Sequence, residues 1–246
     1  MSYLKIIPLR VGTLERDQSI MTYLTNIGVS VRLPATMWFI DGGEKKILVD
    51  TGPSDPEGMG AYHKPYTRSD SEHPVAALGA LGVKPEDIDI VINTHLHWDH
   101  CSNNYLFKNA TFFVQREELR FAIAPLPSQA GVYDSLSTGR TPPFLQVHSY
   151  EVVEGECEVT SRVRLLLTPG HSPGCQTVLV ETSEGTYAIA GDTVPMFENI
   201  ANGKQIPHGV HVNLEDCYRS IARLQSLNAV ILPGHDEKVF EKAVYP

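Results

Sequence analysis

The chain has 246 residues, 42% of them hydrophobic, with a formal net charge of −9 at pH 7 and a pI near 5.5. That length suits one large domain with a full core, 1–246, and the acidic balance, with no Lys/Arg run to track a phosphate backbone, argues against a nucleic-acid partner. No apolar stretch reaches the ~20 residues of a membrane span and Met1 leads straight into a strand, so the expected setting is cytoplasmic, the expected partner a small-molecule substrate, and a homodimer is left open.

Leu4 to Leu9 reads as the first strand. Strands near 36–41 and 45–50 follow, joined as a hairpin across Asp41-Gly42-Gly43. An irregular stretch from Pro53 to His73 precedes a helix near 74–81, with Pro74 in its first turn and Gly82 as its stop. Strands near 88–93 and 111–115 come next, then a helix starting around Arg116-Glu117-Glu118 and a second irregular stretch, Ala124 to Pro143. Loops this long in a compact domain are often functional, and both are expected to act as lids, with Phe121, Leu126, Val132, Phe144 and Met59 as apolar lining. The second half predicts strands near 147–153, 163–168, 177–182 and 186–190, the last two joined by Ser183-Glu184-Gly185. A helix over 214–226 has Asn213 as N-cap and Leu214, Cys217, Ile221 and Leu224 on one face, and a strand at 229–232 follows. The two halves read as an internal duplication. The expected fold is α+β, a four-layer αββα sandwich. The four cysteines (Cys101, Cys157, Cys175, Cys217) contain no CxxC and are expected to be reduced, small buried residues.

The chemistry is concentrated in His95-Leu96-His97-Trp98-Asp99-His100, directly after the apolar run Ile88-Asp89-Ile90-Val91-Ile92. In an extended HxH the two imidazoles point the same way, so His95 and His97 can share one cation, while Asp99 and His100 face elsewhere and suit a second. Three further strands end in ligand-type side chains: His171 in Thr168-Pro169-Gly170-His171-Ser172-Pro173-Gly174, Asp192 in Ala190-Gly191-Asp192, and His235 in Pro233-Gly234-His235. Ligands delivered to one edge by several strands are what a rigid scaffold uses to hold a site.

In order and spacing this set resembles the metallo-β-lactamase superfamily, within it the binuclear hydrolases, and most of all the acyl-homoserine lactonase-like group. The resemblance runs from Leu4 through Ile47-Leu48-Val49-Asp50-Thr51-Gly52 to His235. It implies a first metal on His95, His97 and His171, a second on Asp99, His100 and His235, and Asp192 bridging both. It also implies attack of a metal-bridging hydroxide on a lactone carbonyl, with Asp99 as proton shuttle and Asp50 orienting the ligand loop. Two divalent ions are expected, zinc first, although iron, manganese and cobalt suit the same donors. A glyoxalase II-type thioesterase and a non-hydrolytic di-iron redox member are the alternative readings. One departure stands out: acyl-homoserine lactonases carry a Tyr three residues after the bridging Asp, and this chain has Pro195. His208 or His211 is the expected substitute donor, with Tyr62, Tyr66 and Tyr133 as further candidates.

Overall fold

The computed structural model describes residues 3–58, 63–135, 139 and 141–246. The chain opens with a long antiparallel hairpin, β1 (Lys5–Asp17) against β2 (Ser30–Asp41), in register from Lys5↔Asp41 to Asp17↔Ser30 with an irregularity between Arg10 and Thr13. Both strands run well past the predicted 4–9 and 36–41. Their distal halves carry Glu15, Arg16, Asp17 and Arg32, whose charges hide the apolar alternation, but the backbone ladder continues. Gly12 sits at the irregularity with φ +147°, and a Cβ there would lie 2.5 Å from the Tyr66 ring.

β3 (Ile47–Val49) returns antiparallel beside β2 through the predicted hairpin. The chain then passes through the two-residue β4 (Tyr66–Thr67), which pairs with β1 at the far edge, and through α1 (Pro74–Gly79). The strands β5 (Ile90–Ile92), β6 (Thr111–Gln115) and β7 (Tyr150–Val153) then add in parallel, with α2 (Trp98–Cys101) and α3 (Arg116–Ile123) between them. The first sheet therefore has the order β4-β1-β2-β3-β5-β6-β7.

In the second sheet β8 (Cys157–Thr160), β9 (Val163–Leu167), β10 (Gln176–Thr182) and β11 (Gly185–Ile189) are successively antiparallel. After α4 (Leu214–Ser226), β12 (Ala229–Leu232) joins parallel to β11. The strand β8 escaped prediction because it is a half-exposed edge with little apolar pattern.

Alternation sorts the side chains into layers. Trp38, Ile40, Ile47, Val49, Ile90 and Ile92 of the first sheet meet Val163, Leu165, Val178, Val180, Ile189 and Leu232 of the second in the central core. Their neighbours Met37, Phe39, Leu48 and Val91 face outward onto Leu78 of α1. Across the molecule, Leu166, Leu179 and Ala188 pack under Ile221 and Leu224 of α4. A strand buried on both faces must be apolar throughout, which is why β5 reads Ile90-Val91-Ile92 without a polar break. The expected αββα sandwich is present, and both halves share one device: a hairpin followed by a helical crossover to a parallel strand, β2-β3-α1-β5 and β10-β11-α4-β12. No helix among the described residues is long and apolar enough to cross a membrane.

Candidate metal centre

The predicted ligands follow the ends of β5, β9, β11 and β12 and meet at one edge of the sandwich. Asp50, just after β3, adopts a left-handed backbone (φ +59°) and turns its carboxylate toward the segment after β5. It accepts the Thr94 N–H and the Thr94 hydroxyl, each at 2.7 Å, and faces His100 Nδ1 at 2.8 Å. Thr94 Oγ1, its proton committed to Asp50, lies 3.1 Å from His95 Nδ1 and accepts from it. Asp50 thus orients His100 directly and His95 through Thr94, in line with the ligand-loop role that the resemblance implies.

All seven predicted residues come together. His171 Nε2 lies 3.2 Å from His95 Nε2 and 2.9 Å from His97 Nδ1. Asp99 Oδ2 lies 3.8 Å from both His100 Nε2 and His235 Nε2. Asp192 stands between the groups, with Oδ2 3.3 Å from His171 Nε2 and 3.9 Å from His95 Nε2. Its Oδ1 lies 3.4 Å from His100 Nε2 and 3.0 Å from His235 Nε2. One oxygen faces each group.

The donor atoms fit two cations. His100, His171 and His235 turn Nδ1 toward Asp50, the Val210 carbonyl and the Pro34 carbonyl, each at 2.8 Å, so their protons sit there and their Nε2 lone pairs point inward. The inward Nε2 atoms of His100 and His235 and Oδ1 of Asp192 are buried without an aligned hydrogen bond. Leaving such groups unpaired costs about 1–3 kcal/mol each, and convergent lone pairs are what a cation satisfies. With metal–nitrogen bonds of ~2.0–2.1 Å, neighbouring ligands of a tetrahedral ion lie about 3.3 Å apart, close to the separations around His171. Charge sorts the histidines: against the penalty of burial, Asp192 holds His100 and His235 above the usual histidine range. Burial and neighbouring imidazoles push His95 and His97 well below the usual histidine range, which leaves them neutral. Burial opposes ionisation of Asp192, yet His235, His100 and His171 hold its carboxyl well below the usual carboxylate range.

Nothing in its local pattern singles out Glu118, on α3. Fully buried, it accepts the Leu96 N–H (2.9 Å) and the Tyr133 hydroxyl (2.8 Å) on one oxygen, and the Ser172 hydroxyl (2.6 Å) and Gly174 N–H (3.1 Å) on the other. It therefore ties the His95–His97 segment to the His171 turn and to the 124–143 stretch.

A cavity of about 370 Å³ opens onto Asp99, His171, Asp192 and His208. Its wall includes Ile20, Met21, Val132 and Val210, with Lys64 and Arg16 in the same lining. Each predicted lid contributes, through Lys64 and Val132, but the distal end of the first hairpin supplies much of the wall and was not anticipated. Phe121 and Phe144 instead pack in the cluster around Trp98 and Tyr133, and Leu126 is exposed; Met59 and Tyr62 lie outside the described residues.

Of the expected substitute donors, Tyr66 gives its hydroxyl proton to the Val11 carbonyl and Tyr133 to Glu118. The carbonyl of Pro195 accepts the His235 N–H at 2.8 Å, so that position supports a ligand through its backbone. His211 packs edge-on against Tyr23 and its Nδ1 donates to the His208 carbonyl. His208 is the one that reaches the centre: it is buried, its ring lies 4.3 Å from that of His171, and its Nε2 is 3.4 Å from Asp192 Oδ2. Cys101 and Cys175 are buried beside the site, their thiols near the Leu96 carbonyl and the Thr193 hydroxyl, as small packed residues.

Comparison with known proteins agrees with this geometry. An N-acyl homoserine lactonase of Bacillus cereus is 29% identical over 92% of this chain and 90% of its own length. The structure of a B. thuringiensis AiiA variant with N-decanoyl-L-homoserine bound at its active site superposes with a TM-score of 0.81 at 26% identity, covering 98% of this chain and 96% of that one. An N-acyl homoserine lactone hydrolase with N-hexanoyl-L-homoserine at its catalytic metal centre matches equally well, with a TM-score of 0.81 and 26% identity over 98% of this chain and 96% of that one. The model of the metallo-beta-lactamase superfamily matches residues 31–235, a span that contains every predicted ligand, and the chain belongs to that superfamily.

Proposed function

We propose that this protein is a lactonase, a hydrolase that uses two divalent metal ions, zinc in the first instance, to open a cyclic ester. In this reading His95, His97 and His171 would hold one ion, Asp99, His100 and His235 would hold the other, and Asp192 would serve both. The observation that carries it is the gathering of two donor groups, His95-His97-His171 and Asp99-His100-His235, on either side of a single buried carboxylate, in a site that opens onto a cavity with Ile20, Met21, Val132 and Val210 in its wall. The relatives named as N-acyl homoserine lactonases support the substrate class.

When bound, the ions supply Lewis acidity and lower the pKa of water toward neutrality. The protein's own groups do the rest. Asp99 is the least buried of the seven and faces the cavity, so its carboxylate can take a proton from the attacking water and pass it to the ring oxygen as the ester bond breaks. Water and lactone thus become a hydroxy acid with no proton left over. Asp50 and the Pro34 carbonyl keep His100 and His235 in the tautomer that offers Nε2. Ile20, Met21, Val132 and Val210 give an apolar substituent a dry surface and leave the polar ring at the floor.

The test combines elemental analysis with a substrate panel of γ- and δ-lactones, acyl-homoserine lactones, thioesters and β-lactams. Two metal equivalents per chain and preferential lactone turnover are expected. A firm single equivalent after reconstitution would overturn the binuclear assignment, and thioester cleavage without lactone opening would move the protein to the glyoxalase II-type class.

A further inference from the structure

His95, His171, His208, and on the other side His100 and His235, all turn Nε2 toward Asp192, but that atom is not in the same state in each. In His100, His171 and His235, Nδ1 faces a carboxylate or carbonyl oxygen, which can only accept; those rings carry the proton on Nδ1 and offer a lone pair at Nε2. His208 is wired the opposite way. Its Nδ1 accepts the backbone N–H of Val210 at 2.9 Å, so in the neutral ring the proton sits on Nε2. Val210 sets both states, its N–H fixing His208 and its carbonyl fixing His171. Distance alone groups His208 with His171 and Asp192 as three possible metal donors, yet an Nε2–H has no lone pair to give.

We propose that His208 is not a metal ligand but a catalytic hydrogen-bond donor, its Nε2–H aimed at the carbonyl oxygen of the bound lactone. The inference rests on the lactonase reading above. Position decides which substrate oxygen is meant. His208 lies on the Oδ2 side of Asp192 with His171, whereas Asp99 lies with His100 and His235 on the Oδ1 side. With Asp99 serving the leaving oxygen, His208 is left to the carbonyl oxygen. Its Nε2 is buried without a hydrogen-bond partner, and the residue lines the cavity. A donor fixed in place gains strength as that oxygen becomes negative, so it favours the transition state over bound substrate.

The experiment uses the metal-loaded enzyme and His208→Ala, His208→Gln and His171→Ala. Elemental analysis is expected to find wild-type metal content in both His208 variants and a loss in His171→Ala. Nitrogen-15 NMR of the histidine rings should show His208 protonated at Nε2 and His171 at Nδ1. His208→Ala should lower kcat/KM for a lactone about 10²-fold, mostly in kcat, and His208→Gln, whose amide N–H2 reaches a similar point, should recover about tenfold of it. Metal loss in His208→Ala with a folded circular-dichroism spectrum, or a His208 ring protonated at Nδ1, would make it a ligand and overturn the proposal. Unchanged kcat/KM in His208→Ala would overturn its contact with substrate. If wild type carries its metals but opens no lactone, the lactonase reading falls and takes the substrate contact with it, while metal content and NMR still decide the ligand question.

Discussion

Replacing Glu118 tests whether one buried carboxylate holds three site segments together. In Glu118→Ala, the N–H groups of Leu96 and Gly174 and the hydroxyls of Tyr133 and Ser172 lose their acceptor in a water-poor interior. At the lower bound of about 1 kcal/mol per unsatisfied buried donor, the loss is about 4 kcal/mol. Glu118→Gln should be milder. Its amide oxygen can keep Leu96 and Tyr133, and the Ser172 hydroxyl can rotate to accept, but the Gly174 N–H then meets an NH2 group, a cost of about 1–3 kcal/mol. The pH dependence separates charge from hydrogen bonding. Burial holds the Glu118 carboxyl above its ordinary range despite its four donors, so the folded state binds that proton more tightly than the unfolded one. Glu118 therefore costs stability as pH rises from the unfolded value of about 4.3 through its folded value, and Glu118→Gln should flatten that part of the profile. Urea melts of equally metal-loaded proteins across that range measure both effects. A Glu118→Ala midpoint corresponding to less than 1 kcal/mol of destabilisation would refute the four-donor accounting.

Three other substitutions probe the centre directly. Asp99→Asn should keep much of the metal but lose about 10²-fold or more in kcat, and wild-type turnover at intact metal content would remove its shuttle role. Asp192→Ala should lose both ions or retain one weakly, because it deletes the carboxylate shared by both donor groups; dialysis followed by elemental analysis reads this. Gly170→Ala would drive a Cβ to 2.4 Å from the Cys217 backbone nitrogen at φ +135°, so about 3 kcal/mol of stability should go, with reduced metal retention through the adjacent His171; an unchanged melt would contradict the backbone clash.

Much of the centre was legible because its ligands sit in short motifs at strand ends, and the resemblance to the metallo-β-lactamase superfamily implied which of them converge. The four layers were legible because Ile90-Val91-Ile92 and its counterparts are apolar on both faces while α4 is apolar on one. Glu118 was not, since beside the exposed Glu117 it looks like one more acidic residue in a helix's first turn, and only tertiary packing tells the two apart. Choosing between His208 and His211 was equally out of reach. Both lie in an aperiodic loop, and the choice depends on a backbone path set by residues far away in sequence. The outer half of the first hairpin was missed because its ladder is carried by main-chain bonds under a charged surface.

Those distant residues belong to the hairpin end. Gly209 N–H bonds to the Ile20 carbonyl at 2.8 Å and Tyr23 N–H to the Pro207 carbonyl at 2.9 Å, so the segment bearing His208 is stitched to the same turn that supplies Ile20 and Met21 to the cavity. The metal donors hang from other strand ends. The site thus has two parts that meet at Val210: the strand ends that present the clustered histidines and carboxylates, and the hairpin end that presents the apolar wall and braces His208. A tail too bulky for the hairpin end would shift His208 and, through Val210, disturb the His171 contact as well, so tail length should register in kcat as well as in KM. Selectivity in such an arrangement can be retuned at Ile20 and Met21 without replacing a single ligand.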